Sequence, residues 1–325
     1  SGLDKIIGRS PAMVTLRAQI TRLLEAERHL TDTDAPAVLI HGETGVGKEL
    51  VARALHYGGP RHAQPFVELN CGAMPAQLVE AELFGYEKGA FTDARQRKPG
   101  LVETAEGGSL FLDEIGEADA STQVKLLKLL EDKRFRRLGG LRDQAVNVRI
   151  VSATHRSLDQ MVKDKTFRAD LFFRLRIIEI KVPPLRERGD DIVDLARHFL
   201  QHHAQRYKRG DLALSADAEG ALRRHSWPGN VRELRNVMEQ AVLMCGGGAV
   251  TARDLPIQGA DSAAAAPEWS DADLNLERME RHLVELALSR TQQNVTQAAK
   301  LLGVSRDTLR YRLERLGFKS SSSVE

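Results

Sequence analysis

Two short stretches carry the residue types that phosphate chemistry needs. HGETGVGKE, from His41 to Glu49, places Gly42, Gly45, Gly47 and Lys48 at the spacing G-x-x-x-x-G-K, with Glu43, Thr44 and Val46 completing the loop. Glycines let backbone N–H groups close around phosphate oxygens. Lys48 can reach the β- and γ-phosphates, and the start of a helix adds positive potential. The strand-like AVLI before the loop and the helical pattern after it separate this signal from a chance glycine-rich turn. Glu49 departs from the Ser or Thr that would ligate Mg²⁺.

The second stretch, GGSLFLDE (107–114), is an apolar strand ending in Asp113 and Glu114. Asp113 can hold Mg²⁺ directly or through water, and Glu114 can orient and polarise an attacking water. Alone, such a pair is often a solvated strand end. Standing 65 residues after Lys48, it reads as the second half of an ATP-hydrolysing site. Phosphoryl transfer also needs positive charge on the phosphate oxygens. FRADLFFRLR offers Arg168, Arg174 and Arg176, and WPGNVRELRN offers Arg232 at the start of a helix. Arginines on a helix are as often surface solubilisers.

The elements that position these residues follow from composition and periodicity. Of 325 residues, 42% are hydrophobic and 28% charged, enough for two or three cored domains. A net charge of +2 neither requires nor excludes nucleic acid, so local patches decide. The two cysteines, Cys71 and Cys245, show neither metal-ligand nor disulfide-framework spacing, as expected of reduced thiols in a cytosolic protein. No apolar run reaches the roughly 18 residues a membrane span needs, and no signal peptide is visible.

Residues 1–183 alternate strand-like runs (AVLIHG, FVELN, SLFLDE, VRIVSAT) with helical ones, which predicts a parallel sheet covered by helices. The paired prolines of KVPPLRERGDD end a further apolar strand, and residues 184–257 read as all helical. Residues 258–273 are small, polar and proline-containing, a linker. A small helical unit occupies 274–325. LLEAERHLTDTDAP (23–36) reads as an extended helix or surface loop.

GYEKGAFTDARQRKPG (85–100) poses a different problem. Phe91 and Thr92 lie among glycines and charges, with no apolar neighbours in sequence to bury them. An aromatic anchor among small residues is what a transient contact uses.

NVTQAAKLLGVSRDTLRYRLERLG (294–317) reads as a helix-turn-helix. Val295, Ala298, Ala299 and Leu302 share one helix face. Gly303 makes the turn, Ser305 caps the second helix, and Leu309, Leu313 and Leu316 bury it. Ser305, Arg306, Asp307, Thr308, Arg310, Tyr311 and Arg312 are left to face a major groove or phosphates. From residue 291 onward there are six basic and three acidic residues. Ahead of this unit, Leu276, Met279, Leu283 and Leu286 form a stripe suited to a dimer contact.

Together these segments resemble one family, the bacterial enhancer-binding proteins, which are AAA+ ATPases that activate the sigma-54 form of RNA polymerase. IIGRSPAM, GETGVGKE, FVELNCGAM, ELFGYEKGAFTDA, GGSLFLDEIGE, FRADLFFRL, VPPLRER and WPGNVREL run in family order from about residue 6 to residue 244. The unit from residue 274 resembles the family's Fis-type DNA-binding domain. The resemblance implies an α/β AAA+ P-loop sheet, a helical lid and a small all-α helix-turn-helix domain. It implies ATP and Mg²⁺ as cofactors. Partners would be the sigma-54 polymerase holoenzyme, enhancer double-stranded DNA and further copies of the chain, in a hexamer or heptamer built from dimers. The setting would be the bacterial cytoplasm, on the nucleoid, with no membrane partner.

Site roles follow from the same resemblance. Asn70 would hold Glu114 away from water. Arg168 and Arg174 would be fingers offered to the neighbouring subunit, Arg232 the second sensor and His155 the first. The family's own Glu at position 49 shows that the Ser/Thr ligand is dispensable. Gly89, Ala90, Phe91, Thr92, Asp93 and Ala94 match the loop tip that meets sigma-54. Two residues depart from the pattern: Asp93 replaces a glycine, and His155 stands where Asn is usual. Asp93 motivates a rival reading, a DNA-binding repressor whose ATPase does not engage sigma-54. A general AAA+ protein remodeller is a second rival, opposed by the helix-turn-helix.

Overall fold

The computed structural model describes residues 2–28, 35–92, 94–257, 276–291 and 294–315. Asp93, the linker at 258–273, residues 29–34 of the extended segment and Leu316 lie outside them, as do the side chains of Leu276, Met279, Leu283 and Asp307. Contacts divide the chain into two units, residues 1–261 and 262–325.

In the first unit, helix α1 (Pro11–Arg28) precedes strand β1 (Val38–His41), the phosphate loop and helix α2 (Lys48–Gly58). Strand β2 (Phe66–Asn70) and helix α3 (Ala76–Phe84) follow. The GAFTDA segment rises between β3 (Gly85–Tyr86) and β4 (Lys98–Pro99), which pair antiparallel. Helix α4 (Leu101–Thr104) leads into β5 (Ser109–Asp113) and α5 (Ala120–Asp132). A second antiparallel hairpin, β6 (Arg134–Phe135) and β7 (Gln144–Ala145), precedes β8 (Arg149–Thr154). Helices α6 (Leu158–Lys163) and α7 (Ala169–Leu175) and strand β9 (Ile178–Lys181) complete this part.

The five strands that the apolar runs predict form one parallel sheet in the order β2-β5-β8-β1-β9. Their two-residue period sorts side chains between two cores. Leu39, Leu110, Leu112 and Ile150 face one layer of helices, and Val38, Ile40, Phe111, Val151 and Ala153 the other. Each of these Val, Leu, Ile and Phe side chains, fully buried, contributes roughly 1.5–3 kcal/mol. The extended stretch before the phosphate loop begins as a continuation of α1 that buries Leu24 and Glu27. Glu27 is paired there with the buried Arg149 of β8.

The lid has its own core around the fully buried Trp227. Its helices are α8 (Asp191–Arg206), α9 (Ala216–Arg224) and α10 (Asn230–Met244). The expectation of an all-helical segment needs one correction. β10 (Ala213–Leu214) and β11 (Ala249–Val250) pair in parallel, and the bridge ties the entry to α9 to the chain leaving α10. Both cysteines are free and buried. Burial first, then nearby carboxylates, pushes the Cys71 thiol up to about 12, so it is uncharged at neutral pH.

The second unit packs α11 (Leu276–Arg290), α12 (Val295–Leu301) and α13 (Arg306–Arg315) around Val284, Ala287, Leu288, Ala298, Ala299 and Leu309. No helix among the described residues is long and apolar enough to cross a membrane.

Candidate active site and contact surfaces

Gly42, Glu114 and His155 each stand one residue beyond the C-terminal end of a parallel strand, β1, β5 and β8 respectively. This edge is where open α/β sheets bind ligands. The Gly42 N–H donates to the Thr154 carbonyl at 3.2 Å and pins the loop to that edge. Lys48 is only 7% exposed. Its Nζ donates to the carbonyls of Gly42 (2.9 Å) and Glu43 (3.3 Å) and lies 3.7 Å from Glu114 Oε1. Gly45 has φ +79°, and a Cβ there would meet the Gly229 carbonyl at 2.3 Å, so only glycine fits.

The two acidic residues have different partners. Asp113 Oδ1 accepts from the Glu114 N–H at 3.0 Å, and Oδ2 accepts from Asn70 Nδ2 at 3.4 Å. Burial, then the neighbouring Glu114, raises the Asp113 pKa. Glu114 itself has φ +52°. Its Oε2 accepts from His155 Nδ1–H at 2.6 Å. Asn70 therefore hydrogen-bonds to Asp113 and not to Glu114 in this arrangement; its Oδ1 accepts from Gly72 N at 2.9 Å. The strand register accounts for this, because β2 pairs with β5 through Asn70 opposite Asp113.

Sequence reasoning missed a clasp from the lid. Asn230, the first residue of α10, is fully buried. Its amide donates to Glu43 Oε2 and to the Thr44 carbonyl, both at 3.1 Å, while its Oδ1 accepts from Leu185 N at 2.8 Å. Arg186 makes a two-pronged ion pair with Glu43 at 2.6 and 2.9 Å. Those bonds, Arg186 first and then Asn230, hold the Glu43 carboxyl down to about 2. The buried Arg188 donates to the carbonyls of Val46 and Pro183, both at 2.8 Å. Burial lowers its pKa to about 10, against the pull of Asp191. Arg232 reaches the same loop through its backbone N–H, which donates to the Gly45 carbonyl at 3.3 Å. The signal was in VPPLRER and WPGN, with Asn230 two residues before Arg232.

Beside the phosphate loop lies a cleft of about 400 Å³ lined by Ile6, Ile7, Gly47, Val51, Phe199 and Val231. An apolar slot next to a phosphate grip suits a flat base. Its walls come from the N-terminal segment and α1, the phosphate loop and α2, and the lid.

Arg168 and Arg174 are exposed on and beside α7. Arg168 pairs with Asp170 at 2.6 Å and Arg174 with Glu131 at 3.4 Å. The buried Gln123 accepts from the Arg168 N–H at 2.9 Å and fixes its backbone. Arg176 lies over the Phe172 ring.

In the GAFTDA loop, Gly89 N donates to the Ala94 carbonyl at 2.8 Å, closing the tip. Phe91 is 45% exposed and meets one ring edge-on, Tyr86, at 4.8 Å. Tyr86 is the apolar neighbour that its immediate sequence context concealed. Thr92 is exposed and Ala94 buried. The loop base is held by the buried Arg137, which binds Glu103, Glu87 (2.7 Å) and Gln144 (3.1 Å). Those bonds raise the Arg137 pKa. Ala90 packs against Gly139 of the β6–β7 connection, where a Cβ would approach Ala90 Cβ to 2.8 Å.

In the second unit, Ser305 Oγ accepts from Thr308 N at 3.1 Å and caps α13, and Gly303 turns at φ +67°. Arg306, Arg310 and Tyr311 are exposed. Arg312 is engaged internally, 3.2 Å from Glu280 of α11.

Comparison with known proteins agrees with this anatomy. The model of the sigma-54 interaction domain matches residues 6–181, that of the AAA+ ATPase lid domain residues 186–271, and that of the Fis family of bacterial regulatory proteins residues 275–316. The regulatory protein AtoC of Escherichia coli (strain K12) is 41% identical over 96% of this chain and 68% of its own length. The response regulator PilR of Pseudomonas aeruginosa is 43% identical over 97% of this chain and 70% of its own. The transcriptional regulator NtrC of E. coli (strain K12) is likewise 43% identical, with 97% and 70% covered. Crystal structures of NtrX from Brucella abortus with ADP and with ATP superpose with a TM-score of 0.72 at 36% identity, covering 96% of this chain and 69% of NtrX. The chain belongs to the sigma-54-dependent transcriptional activators, the family that joins an AAA+ ATPase bearing the sigma-54 interaction domain to a Fis-type helix-turn-helix.

Proposed function

We propose that ATP is hydrolysed between neighbouring copies in a cytoplasmic ring, a hexamer or heptamer, and that the cycle drives the GAFTDA loops against sigma-54 while the C-terminal units hold enhancer DNA. The observation that carries this reading is the composition of the site. Lys48, Asp113 and Glu114 converge at one sheet edge, while Arg168 and Arg174 stand on the surface in ion pairs with other residues. Exposed in this way, Arg168 and Arg174 can be offered to a neighbour's phosphate.

Lys48 grips the phosphates, Glu114 polarises the attacking water, and Arg232 and His155 sense the nucleotide. Asp113 fits Mg²⁺: its carboxylate is half-buried with a raised pKa, and a cation offsets that penalty. No cluster of three or more His, Cys, Asp or Glu able to hold a metal occurs among the described residues, which suits an ion that takes most ligands from phosphate and water. Bound there, Mg²⁺ would neutralise charge on the phosphate oxygens. Residues 1–183 and 184–257 act as ATPase core and lid, 258–273 as linker and 274–325 as the DNA-binding domain. Phe91 and Thr92 make the sigma-54 contact. The repressor rival rests on Asp93 alone, outside the described residues, and the comparisons do not favour it.

Subunit mixing tests the shared site. Lys48→Ala and Arg168→Ala should each be inactive alone. Mixed in equal amounts, they should regain activity, since random assembly leaves about one interface in four with both groups intact. Failure of the mixture to recover, with both variants assembled, would place Arg168 outside the neighbour's site.

A further inference from the structure

We infer that His155, rather than Asn70, holds Glu114 back, and that the triphosphate frees this glutamate by competing for the two groups that bind it. The inference rests on the reading of Glu114 as the residue that polarises water.

Both carboxylate oxygens of Glu114 are engaged, each by a group suited to phosphate. Oε2 accepts from His155 Nδ1–H at 2.6 Å, with the His155 backbone N–H 3.4 Å away. Oε1 faces Lys48 Nζ at 3.7 Å. An ionised carboxylate only accepts, so the imidazole is the donor. Asn70, the residue to which the resemblance assigns this restraint, spends its amide on Asp113 and its carbonyl oxygen on Gly72.

Sheet order explains the exchange. β5 lies between β2 and β8. On the β2 side, pairing ends with Asn70 opposite Asp113, one residue short of Glu114. On the β8 side, Leu112 pairs with Ser152, and the same register continued sets Glu114 beside Thr154 and next to His155. The left-handed backbone of Glu114, at φ +52°, completes the turn toward that side.

A triphosphate carries more negative charge than one carboxylate and accepts charge-assisted hydrogen bonds from the same ammonium and imidazole N–H. A γ-phosphate that draws His155 leaves Glu114 an oxygen to accept from water. A nucleotide without a γ-phosphate leaves the pair intact. Sensing the γ-phosphate and releasing the base thus become one event at one side chain, which makes His155 a positioning residue.

Binding of ATPγS and of ADP, measured in a double-mutant cycle, tests this. Glu114→Gln should tighten ATPγS binding about ten-fold in the parent protein, the weight of one hydrogen bond to a charged group. In a His155→Ala background the gain should fall to about three-fold or less, the part due to charge alone. ADP affinity, with no γ-phosphate to draw His155, should change by no more than this charge-only factor throughout, which also reports an intact fold. His155→Asn, whose amide stands where Nδ1 stands, should keep the coupling, and His155→Gln, whose amide reaches the Nε2 position, should lose it. Equal gains in both backgrounds, coupling carried by Asn70→Ala instead, or no difference between the Asn and Gln variants would overturn the inference. ATP turnover that survives Glu114→Gln would instead remove the parent reading, and the binding cycle decides separately.

Discussion

Asn230 joins three segments through one buried amide: its Nδ2 donates to Glu43 Oε2 and the Thr44 carbonyl, and its Oδ1 accepts from Leu185 N. It does so at φ +51°, a conformation in which Asn is tolerated better than Ala. Asn230→Ala should leave the Leu185 N–H buried without a partner, at a cost of about 1–3 kcal/mol. For a domain of this size that lowers Tm by about 2–4 °C per kcal/mol. Asn230→Gly loses the same amide but relaxes the backbone, so it should melt above Asn230→Ala. Differential scanning calorimetry gives the order, and the reverse order would show that the backbone is not strained.

Glu43 supplies a pH test of the same clasp. Its carboxyl is held down to about 2 by Arg186 and then Asn230, against an ordinary value of 4.5. A depressed folded pKa gives stability that is complete above the ordinary value and disappears as pH falls through the folded one. The Tm difference between the parent and Glu43→Gln should therefore be constant above about pH 5 and shrink toward pH 2. Glu43 is 42% exposed, so the difference should be small and should decrease with salt.

Arg137 fixes the base of the GAFTDA loop. It is 6% exposed and binds Glu103, Glu87 and Gln144. Removing it takes their buried partner from Glu87 and Glu103, which we expect to cost on the order of 2–4 kcal/mol, the lower end because Glu87 is partly solvated and Glu103 keeps Arg97 at 4.0 Å. Arg137→Lys keeps the charge but not the planar fork. It should fold and hydrolyse ATP at near-parental rates while losing promoter opening, because loop position no longer follows the nucleotide. Equal loss of both activities would place Arg137 in the ATPase machinery.

What could be read in sequence was what is local. The phosphate loop, the DE pair and the helix-turn-helix each declare themselves within about 25 residues, through glycines, strand ends and helical period. The five sheet strands were legible because each is a short apolar run. What stayed hidden is assembled across the chain. The base-sized cleft borrows Ile7 and Phe199 from segments far apart in the chain. Arg137 looks like one of several arginines in a charged run until the fold buries it. The exchange of Asn70 for His155 at Glu114 depends on strand order, which no spacing reveals.

Phe91 is available but not adrift. It rests edge-on against Tyr86, a contact of about 0.5–1.5 kcal/mol beyond buried area, and so can leave that ring cheaply. Phe91→Ala should keep ATPase activity within about two-fold and reduce capture of sigma-54 by the transition-state-analogue complex more than ten-fold, as expected of an anchor residue. Tyr86→Ala should retain capture, since it removes the resting place and not the anchor. Capture unchanged by Phe91→Ala would mean that the contact lies elsewhere.

Arg310 and Arg312 look alike in sequence and differ in the structure. Arg310 is exposed on α13 with Arg306 and Tyr311, whereas Arg312 is only partly exposed and pairs with Glu280 of α11, as does Arg315. Arg310→Ala should weaken DNA binding and, if the contact is to phosphate, reduce the slope of log affinity against log salt by about one. A base contact would instead relax specificity at one position, for about 1–3 kcal/mol. Arg312→Ala should act mainly through folding: it unpairs Glu280 from one of two arginines and should lower the melting temperature of the C-terminal unit. With folding restored by low temperature, its salt slope should match the parent's. A salt slope reduced equally by both substitutions would show that Arg312 leaves Glu280 for the DNA backbone, and that the α11–α13 ion pair gives way on binding.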